Sequence, residues 1–261
     1  MDPFHIDGPT CISFSGGRTS AFMLWRVLQS NGGLPDEAVV CFANTGKEDE
    51  ATLAFVQECS EQWTVPITWV EYRTVPPGYA VVDFDTVSRN GEPFDALIEK
   101  KKYLPNPVAR FCTEELKIHP IKACSGMADD AMMVGVRADE HYRIPKMRAR
   151  GLLLPLADAG IAKHDVRAFW RAQPFDLGLE EHDGVTPDGN CDLCFMKGAA
   201  QLLSSIAKTP GKAIWWARKE QDRGATFRSD RPSYAQMATF AAAQRDMFDP
   251  AEEAIPCFCG D

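Results

Sequence analysis

The stretch that decides the fold lies at residues 11–29 and reads CISFSGGRTSAFMLWRVLQ. It begins with a short apolar run at residues 11–14, of a length and composition typical of a buried strand. The chain then turns at residues 15–17 and becomes helix-periodic from Thr19 onward. The stretch therefore predicts a strand, a glycine turn and the start of a helix.

The glycine turn has the chemistry of an anion site. Gly16 and Gly17 let backbone N–H groups approach an anion closely, and Ser15, Thr19 and Ser20 add hydroxyl donors. The helix N-terminus that follows contributes a partial positive charge, so a phosphate would fit there. An ordinary strand-to-helix turn explains the same residues equally well, because short motifs of this kind recur by chance.

The composition bounds the class of protein. A chain of 261 residues with 45% hydrophobic content can form one sizeable α/β core with an appended region. The chain has 37 acidic and 28 basic side chains, and its net charge of −9 disfavours general attraction to nucleic acid. The same net charge is compatible with a local basic cleft. The start lacks a signal-peptide pattern and no apolar run approaches a membrane span, so we expect a soluble, cytoplasmic protein without membrane partners.

Strand and helix patterns alternate after the first turn. Apolar runs at residues 38–43 and 67–70 predict buried strands, and residues 49–63 predict a helix between them. Such alternation predicts an α/β fold with a doubly wound, mostly parallel sheet. Ligands bind outside the carboxyl ends of these strands, where residues 15–17 and 44–46 both fall, although Asn-Thr-Gly is also a common plain turn.

The later segments are less regular. Residues 73–107 are rich in Pro and Gly and predict an insertion over the cleft with one helix at residues 94–101. Residues 131–137 predict another buried strand that ends in Arg137. We place a nucleotide-binding α/β domain at residues 1–175 and a helical, cysteine-bearing region at residues 176–261.

The cysteines point to metal or thiol chemistry. Nine cysteines is an odd number, and a cytosolic protein rarely builds a disulfide framework. Cys191 and Cys194 form a Cys-x-x-Cys in a polar loop that opens a helix, a spacing at which two thiolates can bind one metal centre. Structural zinc, an iron–sulfur centre and a redox dithiol all agree with this spacing.

Residues 15–20, SGGRTS, resemble the SGGxDS pyrophosphate loop of the adenine-nucleotide alpha-hydrolase superfamily, and downstream matches narrow the resemblance to the phosphoadenosine-phosphosulfate (PAPS) reductase family. Thr19 stands where that loop usually has Asp, and Arg18 adds a cation. Residues 44–46, NTG, resemble the element that lines the nucleotide cleft in PAPS reductases. The resemblance implies nucleotide binding by Ser15, Gly16, Gly17, Arg18, Thr19, Ser20, Asn44, Thr45 and Gly46.

Two further segments carry the resemblance. Residues 135–143, GVRADEHYR, are similar to the family signature G-x-R-x-x-E-S-x-x-R, which implies that Arg137 and Arg143 hold sulfate or phosphate oxygens. Surface ion pairs with the neighbouring acids are the alternative for these arginines. Residues 112–120 resemble the C-C-x-x-x-K-x-x-P element of iron–sulfur sulfonucleotide reductases, with Thr113 replacing the second cysteine, and imply an anion-holding, catalytic Lys117.

The resemblance also implies a cofactor. A 4Fe–4S cluster would be held by Cys112, Cys191 and Cys194, with Cys257 or Cys259 as the fourth ligand, and zinc is the alternative. If Cys257 closes the cluster, Cys259 would be the catalytic nucleophile, because Cys-Gly near the terminus partly matches the attacking cysteine of thioredoxin-dependent PAPS reductases.

The function implied by the resemblance is reduction of a sulfonucleotide to sulfite, with Arg137 and Lys117 as catalytic residues beside Cys259 and a thioredoxin-like reductant as partner. The ligand would be ATP, PAPS or its 3′-dephosphorylated form APS, with Mg²⁺ as an accompanying ion, and we expect a homo-oligomer. One alternative is an ATP-dependent sulfurtransferase that modifies a nucleic acid, which the acidic composition disfavours. Another is a non-catalytic nucleotide or redox sensor, suggested by Thr19.

Overall fold

The structure is a computed structural model that describes residues 2–182 and 186–243. Its helices and strands follow one another in an alternating order through the first half of the chain. They are β1 (Thr10–Phe14), α1 (Arg18–Asn31), β2 (Ala38–Asn44), α2 (Glu50–Gln62), β3 (Ile67–Tyr72), β4 (Tyr79–Val82), α3 (Glu92–Lys101), α4 (Phe111–Thr113), a π-helical turn (Glu114–Ile118), α5 (His119–Ser125), a 3₁₀ turn (Asp129–Ala131), β5 (Met132–Val134), α6 (Ile144–Ala149), α7 (Pro155–Asp158), α8 (Lys163–Arg171), α9 (Ala199–Lys208), α10 (Lys212–Arg223) and α11 (Tyr234–Ala243).

The five strands form one sheet in the order β4-β3-β2-β1-β5. The pairs β1–β2, β2–β3 and β1–β5 are parallel, and β4 pairs with β3 in the antiparallel direction. The prediction of an α/β fold with a mostly parallel sheet is therefore confirmed. Because β2 and β5 lie on opposite sides of β1, the strand order reverses at β1, and such a position is where α/β sheets bind ligands.

Helices cover both faces of the sheet. Phe14, Phe42 and Trp69 point to one face and belong to the core that includes residues of α1, α2 and α8. Their strand neighbours, such as Cys11 and Cys41, point to the opposite face and pack against α5. This alternation is the period-two pattern of strands, and burial on both faces explains why the strand sequences read as continuous apolar runs.

A second core joins the last three helices to α3. Trp216, Phe227 and Tyr234 are fully buried together with Phe94 and Leu97 of α3. The helices after residue 198 therefore share a core with an element that precedes the predicted boundary at residues 175/176. Within the described residues no helix is both long and apolar enough to cross a bilayer.

Three features differ from the sequence-based expectation. The segment predicted as an insertion over the cleft contains the edge strand β4, whose four partly exposed residues give a weak strand signal. The strand predicted at residues 131–137 is limited to Met132–Val134. The helix after Arg110 is interrupted at Glu114–Ile118 by a π-helical turn, a feature that often accompanies functional sites.

Gly16 is a position at which an added side chain would meet close neighbours. Its φ of +79° disfavours other residues, and an added Cβ would lie 2.7 Å from Thr52 Cγ2 and 3.1 Å from Phe42 Cε2. Gly32, with φ of +68°, has open space around it. We expect Gly16→Ala to lower the free energy of unfolding by roughly 1–3 kcal/mol more than Gly32→Ala, measured by urea denaturation. Equal losses in the two variants would contradict the close approach at Gly16.

Candidate functional site

The glycine turn lies at the carboxyl end of β1, between the ends of β2 and β5. The Ser15 N–H donates to Ser20 Oγ at 3.1 Å, and Ser20 Oγ–H donates to the Gly17 carbonyl at 3.0 Å. These bonds tie the turn to the first turn of α1. That helix has Gly17 at its N-cap, has no acidic residue in its first turn, and so keeps the positive end of its dipole uncompensated by its own sequence.

Cavities lie on two sides of the glycine turn. A small one of about 40 Å³ is bordered by Gly16, Gly17, Thr19 and Arg137. A larger one of about 370 Å³ is bordered by Ser15 and Ser20 and extends between the ends of β1 and β5 and the helix after Arg110. The turn is therefore open to space on the side where a phosphate would bind.

The larger cavity, called the switch-point cavity below, is basic in an acidic protein. Apolar side chains of the sheet, α5 and α6 form much of its wall, and two acidic side chains border it, Glu114 and Asp129. Six basic side chains border it as well: Arg110, Lys117, Lys122, Arg143, Lys146 and Arg150. An apolar wall with a surplus of cations suits an anionic ligand that also carries a flat apolar group.

Arg137 and Arg143 lie on the two sides of the glycine turn, since Arg137 borders the small cavity and Arg143 borders the switch-point cavity. Arg137 donates from a guanidinium nitrogen to Thr19 Oγ1 at 3.0 Å and from Nε to Asp139 at 3.1 Å. Arg143 is buried, borders the switch-point cavity and pairs with Glu140. Thr19, in the first turn of α1, is thus an acceptor for Arg137.

The Arg18 side chain binds the segment after α8. Its guanidinium donates to both carboxylate oxygens of Asp176 at 2.7 and 2.6 Å, to Thr186 Oγ1 at 3.0 Å and to the Leu179 carbonyl at 2.9 Å. Its backbone carbonyl accepts from Trp170 Nε1 at 2.8 Å. The side chain therefore fastens the chain after α8 to the glycine turn.

Asn44, Thr45 and Gly46 shape the turn after β2. The buried Asn44 amide donates to Glu71 Oε1 at 2.7 Å and to the Ser88 carbonyl at 2.8 Å, and Asn44 Oδ1 accepts from the Gly46 N–H at 3.1 Å. Thr45 reaches further, since its Oγ1 lies 3.5 Å from Cys191 Sγ. The turn thus connects the sheet to the cysteine motif.

Cys112, Cys191 and Cys194 border one small cavity of about 20 Å³, called the cysteine cavity below. Cys112 therefore borders the same cavity as the Cys-x-x-Cys motif, which lies about 80 residues later in the sequence. Within residues 2–182 and 186–243, no group of three or more His, Cys, Asp or Glu side chains is arranged so that it could hold a metal ion. Cys257 and Cys259, the predicted fourth ligand and nucleophile, lie outside the described residues.

The switch-point cavity and the cysteine cavity share a wall. Arg110, Thr113 and Lys117 border both of them. These residues lie on and just before the helix that contains the π-helical turn, and Lys117 Nζ is 3.5 Å from the buried Glu48 Oε1. Only a few side chains would therefore separate a group bound in one cavity from a group bound in the other.

The thiol of Cys191 is partly buried, which affects its pKa. Burial is the main cause that raises the pKa of Cys191 above its ordinary value, and the Glu48 carboxylate adds to this, whereas Lys117 acts in the opposite direction. Without a metal the thiol stays protonated at neutral pH and is a poor nucleophile. A metal bound here would have to displace the thiol proton, because a cysteine ligand is deprotonated as the metal binds.

An ion pair that no local sequence pattern predicts holds the cysteine motif in place. Lys47 Nζ lies 3.0 Å from Asp192 Oδ2, and both side chains are buried. The Asp192 N–H donates to the Lys47 carbonyl at 2.7 Å, and Glu48 pairs with Cys191 as an isolated antiparallel bridge. In the sequence, this ion pair is indicated only by charged residues that adjoin both the turn after β2 and the Cys-x-x-Cys motif.

Comparison with known proteins gives one relationship. No family model matches the chain. Over 203 aligned residues it is 34% identical to the uncharacterized nin region protein ORF290 of Escherichia phage lambda, and the match covers 73% of this chain and 67% of that protein. At this identity and coverage, the chain belongs to the same protein family as the nin region protein ORF290 of phage lambda.

Proposed function

We propose that the chain is a PAPS reductase-like enzyme that binds an adenine nucleotide in the switch-point cavity and performs sulfur chemistry beside a thiolate-held metal centre. The observation that carries the proposal is the shared wall, in which Arg110, Thr113 and Lys117 border both cavities. An enzyme that transfers or reduces sulfur on a nucleotide needs an anion site and a thiol centre in contact, and this wall provides the contact.

The fold supports nucleotide binding of the adenine nucleotide alpha-hydrolase type. The glycine turn follows the first strand, lies where the strand order reverses, and opens a helix of 14 residues. Helices cover both faces of the sheet, as in a doubly wound fold. A cavity of about 370 Å³ has the size expected for a small-molecule site.

Each part of the nucleotide would meet a different part of the site. The N–H groups of Gly16 and Gly17 and the N-terminus of α1 would bind phosphate oxygens. Arg137, held by Asp139, and Arg143, held by Glu140, would add cationic donors that are already oriented. The apolar wall between β5 and α5 would cover the base.

The cysteine cavity would hold the metal centre. Cys112, Cys191 and Cys194 supply three thiolates, the donor type that zinc and iron–sulfur clusters prefer. Because no group of described residues is arranged to hold an ion, binding of zinc or of a four-iron cluster would require the walls of this cavity to rearrange. When bound, the metal centre would supply positive charge and, as a cluster, redox capacity beside Lys117.

The first reaction is reduction of a sulfonucleotide. The Cys259 thiolate would attack the sulfur, the S–O bond to the nucleotide phosphate would break, and the nucleotide would leave as a phosphate anion. A dithiol reductant of the thioredoxin type would then release sulfite from the cysteine and form a disulfide. Lys117, Arg137 and Arg143 would stabilise the negative charge that develops on the leaving phosphate.

The second reaction is ATP-dependent sulfur transfer to a nucleic acid. It uses the same anion site and the same cysteines, but it requires a surface beside the switch-point cavity that binds a polynucleotide. Turnover in either reaction would exclude a purely sensing role.

The metal centre is tested by its content. We expect anaerobically purified protein to contain zinc, or iron with inorganic sulfide, and we expect Cys112→Ser, Cys191→Ser and Cys194→Ser each to lose most of it because each removes a thiolate. Cys124→Ser is the matched control, since Cys124 is a partly buried cysteine outside the cysteine cavity. Metal-free wild type, or unchanged content in the three variants, would refute the centre.

The nucleophile is tested by sulfite release from PAPS or APS in the presence of a dithiol reductant. We expect Cys259→Ser to lose at least roughly a thousandfold in rate while it keeps its metal, because it lacks the attacking thiolate. Cys257→Ser would instead lose metal. A Cys259→Ser rate equal to that of the wild type would remove Cys259 from the mechanism.

A further inference from the structure

An exposed aromatic ring and several basic side chains lie next to the switch-point cavity. Tyr142, just before α6, is 90% exposed, and Arg148 of α6 has a side chain that is 57% exposed. Lys146 is exposed on the same helix and also borders the cavity. Helix α6 therefore lines the cavity through Lys146 and Met147 and presents Arg148 to solvent, and Tyr142 is exposed just before the helix begins.

This segment reverses the sign of charge found in the whole chain. Residues 142–150 contain four basic side chains and no acidic one, whereas the chain carries a net charge of −9. Part of this charge is compensated, since Arg148 lies 2.7 Å from Asp158 and Arg150 lies 3.6 Å from Asp129. Six basic and two acidic side chains border the cavity, so basic groups predominate in its lining. Four of the six form ion pairs: Lys117 with Glu48, Lys122 and Arg150 with Asp129, and Arg143 with Glu140.

A second group of the same kind lies in the loop after α3. Tyr103 is 48% exposed and packs against Phe111, with ring centroids 4.9 Å apart. Lys102, with a side chain that is 74% exposed, precedes it and lies 3.7 Å from Glu99, and Arg110, which precedes Phe111, borders the cavity. Two pairs of an exposed tyrosine and a cation thus adjoin one basic cavity.

We propose that these two pairs form a binding surface for a single-stranded nucleic acid, called the strand surface below and made of Lys102, Tyr103, Tyr142 and Arg148. The choice of site rests on the proposed function, and the inference names the second ligand of that site. A free nucleotide would bind inside the cavity and would not use rings that point to solvent. Exposed rings interleaved with cations are the features that stack unpaired bases and bind backbone phosphates.

The same features favour a single strand over other polyanions. A duplex keeps its bases stacked on one another, so isolated tyrosines would gain little from it. An acidic protein would satisfy the cations but would leave the two rings without a stacking partner. Binding to a single strand should weaken with salt, since each phosphate contact releases counterions, at roughly 0.7 log units per contact for each tenfold rise in salt.

The test is fluorescence anisotropy of the full chain with labelled 20-nucleotide DNA and RNA strands of mixed sequence at low and moderate salt. We expect the wild type to bind at least one strand with marked salt dependence. We expect the double variant Tyr142→Ala, Arg148→Ser to bind at least about fivefold more weakly, because it loses one stacking ring and one phosphate contact. The affinities for the DNA strand and the RNA strand, compared with each other, show which sugar the surface prefers.

The matched control is the double variant Ile214→Ala, Arg218→Ser on α10. Ile214 is 69% exposed, and Arg218 has a side chain that is 68% exposed and pairs with Asp222, as Arg148 pairs with Asp158. We expect this control to bind the strand as the wild type does. Absent binding of both strands by the wild type, or an equal loss in the control, would overturn the strand surface.

Calorimetric titration with AMP separates this inference from the proposed function. Tyr142 and Arg148 do not border the cavity among its described lining residues, so we expect their variant to bind AMP as the wild type does. AMP binding without strand binding would refute the strand surface and leave the nucleotide site intact. Strand binding without AMP binding would refute the nucleotide site. The strand surface would then stand, but the proposed enzyme function would not.

Discussion

The buried ion pair between Lys47 and Asp192 is the constraint on which the site depends. It joins the turn after β2 to the Cys-x-x-Cys segment, and the Asp192 carboxylate also accepts from Trp216 Nε1 at 2.9 Å and from the Leu193 N–H at 2.7 Å. A buried charge that loses its partner typically costs about 3–5 kcal/mol. The pair therefore fixes the place of the cysteines relative to the sheet more firmly than a surface contact could.

This constraint gives the two cavities their common wall. The cysteine cavity lies against the turn after β2, and the switch-point cavity lies against the turns after β1 and β5. The helix with the π-helical turn passes between them, and Lys117 lies at that turn beside Glu48. Lys117 therefore lies where it would interact electrostatically with a nucleotide in the switch-point cavity and with a thiolate centre in the cysteine cavity.

The sequence predicted the elements that have strong local signals. The strand at residues 11–14, the glycine turn and the helix after it appear where the pattern puts them, because an apolar run, a Gly-Gly pair and helical periodicity are local properties. The approach of Cys112 to Cys191 and Cys194 was predicted from a resemblance and not from any local pattern.

The parts that sequence reasoning missed depend on distant partners. Arg18 looks like a phosphate-binding cation in the motif, but its guanidinium binds Asp176, which lies 158 residues later. The Lys47–Asp192 pair has the same character, since neither residue shows its partner in the local sequence. The edge strand β4 was missed because an edge strand needs only half of the burial that marks the central strands.

The most direct test of the central claim is a crystal structure of the protein with bound AMP or a non-hydrolysable ATP analogue. The account predicts phosphate oxygens within about 2.7–3.2 Å of the Gly16 and Gly17 N–H groups, and the base in the switch-point cavity on the same side of the sheet as Lys117. A nucleotide bound elsewhere, with the glycine turn and the switch-point cavity both empty, would contradict it.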